Sequence, residues 1–243
     1  MKILHIQLIY ILFLLSLSLI NCLLSLKMSS IPKKILLGTG SSTRKAICTE
    51  MGFSFDIVKA DIDERALGDR STADNARELV LLLANKKADA IINKLENENS
   101  NNSNTNSPWY SNLPSKILLT ADQVVTHEGK ILEKPINEIE AREFISGYGR
   151  SPCSTIGSCV LTNLETGVRV EGIHEATIHF NPIPESTIND LIAEGEIYYC
   201  AGGLMVEHAL VQPHITKMDG SEASVMGLCK ELVQSLWTEI NSK

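Results

Sequence analysis

Apolar and polar positions change period several times along the chain, and those changes mark its elements. Ile35, Leu36 and Leu37 form a short apolar run. Gly38-Thr39-Gly40-Ser41-Ser42-Thr43 follows, and then a repeat that puts Arg44, Ile47, Cys48 and Met51 on one face. This predicts a strand, a tight turn and a helix ended by Gly52. Phe53 to Ala60 alternates as a strand does, and a second helix is predicted from Ser71-Thr72 to about Lys94. Ile117 to Thr126 reads as a buried strand, and Asn137-Glu138-Ile139-Glu140 as a capping-box-like start for a helix through Ile145. Ser154 to Thr162 and Val168 to His179 predict two strands joined by a turn. Pro184 to Glu194 predicts a helix stopped by Gly195, and Cys229 to Ile240 the last helix. Strands and helices mix without a strict βαβ repeat. The expected fold is therefore α/β, a mixed central β-sheet flanked by helices, with two lobes around a cleft.

Two segments break the pattern. Ile3 to Leu26 is almost wholly apolar, and Lys27 closes it. Its length fits a signal peptide, a membrane anchor, or leader translated from a misplaced start, since Met28 opens an ordinary soluble N-terminus. Residues 1–27 are set apart on that ground from a domain expected over 28–243, which would be cytoplasmic. A membrane becomes a partner only if residues 1–26 are retained. The second break is an Asn/Ser tract, expected as an insertion at about 95–114, which cannot bury anything.

Composition narrows the function. Apolar residues make up 44% of the 243, enough for a sizeable core. The formal charge of −7 argues against a broad nucleic-acid surface, but leaves room for a few cations converging in a cleft. None of the six cysteines forms a C-x-x-C pair, and no His/Cys cluster has zinc spacing, so they read as reduced thiols.

Three places carry candidate chemistry. The glycine- and serine-rich turn before the first helix offers backbone amides to an anion, and Ser41 and Arg44 sit where that anion would bind. An ordinary tight turn has the same look, since neither G-x-x-x-x-G-K-[ST] nor G-x-G-x-x-G is present. At 100° per residue, Ala76, Val80, Leu83 and Lys87 fall within about 60° of one another. Lys87 therefore lies on an apolar stripe, and its ammonium either snorkels to the rim or ends in the cleft. Asp122 stands in an apolar strand, where a carboxylate serves as metal ligand, base or helix cap. A turn at Glu128-Gly129 would return Lys134 beside it. Glu64, from the acidic run Asp61-Ile62-Asp63-Glu64, is a second oxygen donor. Cations for phosphates and carboxylates for a hard metal form the inventory of polyphosphate hydrolysis.

Taken in order, Ser41-Ser42-Thr43-Arg44-Lys45, Ala60-Asp61-Ile62-Asp63-Glu64, Leu83-Ala84-Asn85-Lys86-Lys87-Ala88, Ala121-Asp122, Glu133-Lys134-Pro135, Ala201-Gly202-Gly203 and Ser224-Val225-Met226-Gly227-Leu228 resemble the Maf family of nucleoside triphosphate pyrophosphatases. That family belongs to the wider fold group of the inosine triphosphatases, and the resemblance covers about residues 33–241. It implies a nucleotide-binding cleft and hydrolysis of a nucleoside triphosphate to a monophosphate and pyrophosphate with Mg²⁺ or Mn²⁺. It places Asp122 as general base or metal ligand and Glu64 as the second acidic group at the metal. Ser41, Arg44, Lys87 and Lys134 become phosphate contacts, and Gln123 and Glu207 match positions of base selection. The substrates expected are dTTP, UTP or modified pyrimidine nucleotides. A homodimer is the implied assembly. The chain departs from the family pattern at Thr43, Ala46, Gln123, Pro152, Glu207 and Cys229. Those departures leave an alternative, a catalytically impaired nucleotide-binding protein acting in regulation.

Overall fold

The structure, a computed structural model, describes residues 33–100 and 107–243. The apolar segment 1–27 and the middle of the Asn-rich tract lie outside the described residues. Lys34–Lys243 forms one compact unit. Seven strands make its sheet: β1 (Lys34–Leu37), β2 (Ser54–Ile57), β3 (Ile117–His127), β4 (Lys130–Leu132), β5 (Cys153–Asn163), β6 (Arg169–Phe180) and β7 (Ile215–Asp219). Their order is β2-β1-β3-β5-β6-β7, with β4 added to β3. β1 runs parallel to β2 and β3, and the remaining pairings are antiparallel, so the sheet is mixed as expected.

Helices cover both faces. α1 (Ser42–Glu50) and α6 (Lys230–Ile240) lie on one face, over Ile35, Leu37, Leu119, Ala121, Cys159 and Leu161. The long α2 (Ala76–Ser100) lies on the other. Its predicted stripe holds: Ala76, Val80 and Leu83 pack against Val124 and Ile156, while Ala88, Ile91 and Leu95 pack against Leu36 and Leu118. Each fully buried Leu, Ile or Val there contributes roughly 1.5–3 kcal/mol relative to exposure. Two buried hydroxyls pin the helix as well, Thr120 Oγ1 donating to Ala84 O at 2.9 Å and Ser158 Oγ to Val80 O at 2.7 Å. α3 (Glu138–Gly147), α4 (Glu185–Glu194) and the distal ends of β3 and β6 gather a further core around Tyr148, Ile178, Ile188 and Leu191. This core and the one beneath α1 and α6 are the two lobes.

Several boundaries differ from the expected ones. α2 continues past Lys94 to Ser100, because Leu95 still finds apolar cover, so the tract departs from the helix later than residue 95. Only Ser54–Ile57 of the alternating run 53–60 pairs, as an edge strand with little burial. β7 escapes the sequence reading, since Ile215-Thr216-Lys217-Met218-Asp219 is short, mostly exposed and weakly alternating. The capping box is realised with a shift. Asn137 Oδ1 accepts from Glu140 N at 2.9 Å, while Glu140 reaches back to Ile136 N, not to Asn137 N.

Candidate functional site

The site follows from a gap in strand pairing. Along one edge β3 pairs with β5 continuously from Ile117 to Thr126. Along the other it pairs with β1 only at Leu118 and Leu119, and with β4 only at Val125, Thr126 and His127. Thr120 to Val124 therefore border a notch. β1, parallel to β3, runs into the notch from one side and leaves the sheet at Gly38. β4, antiparallel to β3, runs in from the other and leaves at Glu133. The chain segments that follow both strands become opposing walls of a cleft of about 740 Å³, with Asp122 and Gln123 at its floor.

The first wall is Gly38 to Arg44. Gly38 N donates to Leu119 O at 2.7 Å, and a Cβ there would meet Thr120 Cγ2 at 2.6 Å and Ile91 Cδ1 at 2.8 Å, so only glycine lets the chain leave β1 this closely. Ser41 caps α1, its Oγ accepting from Arg44 N at 3.3 Å, with a further hydrogen bond to Thr43 Oγ1 at 2.7 Å. Its hydroxyl is thus engaged in the cap of a first turn whose other backbone amides have no acceptor within the helix. Arg44 turns back as its place in the first turn predicts. Nε donates to Gly227 O at 2.9 Å and Nη1 to Ala121 O at 3.2 Å, joining α1, β3 and the segment after α5 (Glu222–Val225). Burial holds its pKa below the usual range, against the pull of Asp122 and Glu64, yet a guanidinium stays charged at neutral pH.

The floor holds a charge triad. Lys87 Nζ lies 2.5 Å from Asp122 Oδ1 and 2.9 Å from Glu64 Oε2. Lys87 and Asp122 are both buried, at 8% and 7% exposure, which decides the two readings of Lys87 in favour of the cleft. Burial pushes the Asp122 carboxyl above the ordinary carboxylate range, and Lys87 and Arg44 oppose that rise without cancelling it. Gln123 lines the floor beside it. Its Nε2 donates to Val225 O at 2.7 Å, while its buried Oε1 has no protein donor.

Glu64 is held by a residue that the sequence pattern does not reveal. Arg70 Nη2 donates to Glu64 O at 2.8 Å, Nη1 donates to Leu67 O, and Nε pairs with Glu133 Oε2 at 2.9 Å. One side chain thereby fixes the acidic loop and the exit of β4. Nothing in local spacing marks Arg70, since its partners lie on separate loops. Lys59 also lines the cleft unforeseen.

The second wall is Glu133-Lys134 with Tyr199-Cys200-Ala201. The β3–β4 hairpin turns at Glu128-Gly129 and returns Lys134 to the cleft, as expected. Gly202 N donates to Glu133 O at 2.8 Å, and Tyr148 Oη donates to Gly202 O at 2.6 Å. Gly202 takes φ 64°, and Tyr148 Oη and Val125 fill the place a Cβ would take, so a side chain there is excluded on two counts. Burial, with help from Glu207, pushes the Cys200 thiol up to about 11, which leaves it no thiolate at neutral pH. Glu207 is not among the residues that line the cleft, though its charge acts on Cys200, which does. Arg44, Lys87, Asp122, Glu64, Gln123, Ser41 and Lys134 do meet in one cleft.

The donor set fits a hard cation. Asp122 and Glu64 offer carboxylate oxygens within reach of one ammonium, and no group of three or more His, Cys, Asp or Glu side chains placed to hold a metal ion occurs among the described residues. Carboxylate oxygens are donors of the kind that hard cations such as Mg²⁺ or Mn²⁺ take. Five cysteines are free thiols among the described residues. No helix there is long and apolar enough to cross a membrane.

The chain is 33% identical over 210 residues to a 7-methyl-GTP pyrophosphatase of Dictyostelium discoideum, covering 86% of this chain and 98% of that protein. It is 26% identical over 213 residues to a nucleoside triphosphate pyrophosphatase of Salinispora tropica, covering 87% and 86%. It is 30% identical over 199 residues to a dTTP/UTP pyrophosphatase of Bacillus cereus, covering 81% and 84%. The family profile described as Maf-like protein matches residues 34–240, and the chain belongs to that family.

Proposed function

We propose that this protein is a nucleoside triphosphate pyrophosphatase, a hydrolase of acid anhydrides that converts a nucleoside triphosphate and water to a monophosphate and pyrophosphate. The observation that carries the reading is the buried Asp122 beside Lys87 and Glu64, in the same cleft as the N-terminal turn of α1. The names of the relatives support the same reaction.

Asp122 and Glu64 would hold Mg²⁺ or Mn²⁺, which when bound neutralises phosphate charge and polarises the anhydride. The chain's own residues supply the rest. Amides of Gly40, Ser42 and Thr43, with Lys87 and Lys134, hold the polyphosphate so that its anhydride faces the floor. Asp122 takes a proton from the attacking water as the oxygen bonds to phosphorus. The bridging P–O bond then breaks, its electron pair leaving on pyrophosphate. Lys87 offsets the charge that collects beside Asp122, and its apolar mounting keeps that pair away from bulk water.

For the base, 7-methyl-GTP takes first place and dTTP or UTP, the sequence expectation, second. Gln123 stands in the floor where the family commonly has Thr, and the 33% relative, covered almost end to end, is named for 7-methyl-GTP. The test is product analysis over a panel of canonical and modified triphosphates, with Mg²⁺, Mn²⁺ or a chelator. Equimolar monophosphate and pyrophosphate, released only with metal, are expected. Orthophosphate and diphosphate as products would reject the bond assignment. Nucleotide binding without turnover under every condition would make the regulatory reading the better one.

A further inference from the structure

We propose that Tyr199 is the platform on which the nucleobase stacks. The inference rests on the nucleotide reading of the cleft and adds a residue that none of the sequence motifs contains. Of the cleft-lining residues described, Tyr199 is the sole aromatic, and its 79% exposure is extreme for a tyrosine next to a packed core. Its neighbours in the same short 3₁₀ turn behave oppositely. Ile197 is fully buried and Tyr198 packs against the core of the second lobe. The turn therefore uses two apolar side chains as anchors and presents the third to the cleft.

The mounting is stiff. Cys200 N donates to Ile197 O at 3.2 Å, and Gly202 N to Glu133 O at 2.8 Å, tying the turn to the exit of β4. The Tyr148 hydroxyl then locks the Gly202 carbonyl from beneath. An aromatic held this way loses little entropy when a ligand covers it. Its location complements the phosphate machinery. The amide-rich turn and Arg44 grow from the β1 side of the notch, whereas Tyr199 lies on the β4 side, with the Asp122–Lys87 pair between. A ligand with a polyanionic end and a flat aromatic end fits that polarity. A cationic ring such as 7-methylguanine gains a further attraction to the tyrosine face.

The test uses the full chain as wild type, Tyr199→Ala and Tyr199→Phe. Affinity is titrated for an α,β-methylene nucleoside triphosphate and, in parallel, for inorganic tripolyphosphate. Tyr199→Ala should weaken nucleotide binding by about tenfold or more, and Tyr199→Phe should restore it. Tripolyphosphate affinity should stay at the wild-type value in all three. In turnover, KM should rise with kcat retained, because stacking holds ground and transition states alike. Unchanged nucleotide affinity in Tyr199→Ala overturns the inference. So does an equal loss for tripolyphosphate, which would mean a collapsed wall. A wild type that binds nucleotide without hydrolysing it would defeat the pyrophosphatase reading, yet the titration would still decide the role of Tyr199.

Discussion

The wall that grows from β1 is made of backbone amides, a capped helix start and one buried guanidinium; the wall on the β4 side is made of 3₁₀ turns, a lysine and an exposed ring. The first is fixed by contacts across the sheet, since Arg44 reaches Ala121 and Gly227, far apart in sequence. The second is fixed by contacts among loops, Gly202 to Glu133 and Tyr148 to Gly202. On the proposed reading the two walls divide the work. Phosphates have one shape and charge, so a rigid dipolar wall would serve every substrate. Bases differ, and a loop-built wall can change without disturbing the sheet.

The largest expected effect lies on the floor between the walls. Lys87→Met removes the partner of a buried carboxylate, so turnover should fall by about a hundredfold or more and stability by about 3 kcal/mol, eased where Asp122 protonates. Urea denaturation and initial rates check both. A loss of stability with turnover intact would detach Lys87 from the chemistry.

A second effect, of similar size in stability, comes from His174 behind the first wall. It is 7% exposed, sits against Gly157, and neither ring nitrogen has a partner in the protein. Burial first, and the Arg44 charge second, lower its pKa from 6.5 to about 4, while Glu231 pulls the other way. The unfolded chain then binds the proton more readily than the folded one. Stability should be full above pH 6.5 and fall as pH drops toward 4, by on the order of 3 kcal/mol. His174→Phe should flatten that slope in denaturation midpoints measured across the window.

Arg44→Lys keeps the charge but loses the fork, leaving one of two carbonyls without its donor. A stability loss of about 1–2 kcal/mol and a rise in KM for every triphosphate are expected, with base preference unchanged. A shift in base preference would break the division between the walls. The smallest effect should come from Arg70→Ala, which frees the Glu64 loop and the β4 exit together. We expect stability within about 1 kcal/mol of wild type and a higher metal concentration for half-maximal rate, read by metal titration.

Much of the first wall is legible in the sequence. A strand, a Gly/Ser turn and an apolar-periodic helix follow one another without interruption between Ile35 and Met51, so local pattern suffices for Ser41 and Arg44. Lys87 is legible because an apolar stripe fixes where its Cβ points, and Asp122 because it interrupts an otherwise apolar run. Arg70, Lys59 and Tyr199 are not. Their roles depend on which loops meet across the notch, and that follows from strand pairing, which no local period encodes.

Whether the floor carries the chemistry is decided by comparing wild type with Asp122→Asn on one nucleotide, by pyrophosphate release and by binding. The variant should keep its fold and its nucleotide affinity within a few-fold, while turnover falls by at least about a hundredfold. An Asp122→Asn protein that hydrolyses as fast as the wild type would contradict the assignment of the site.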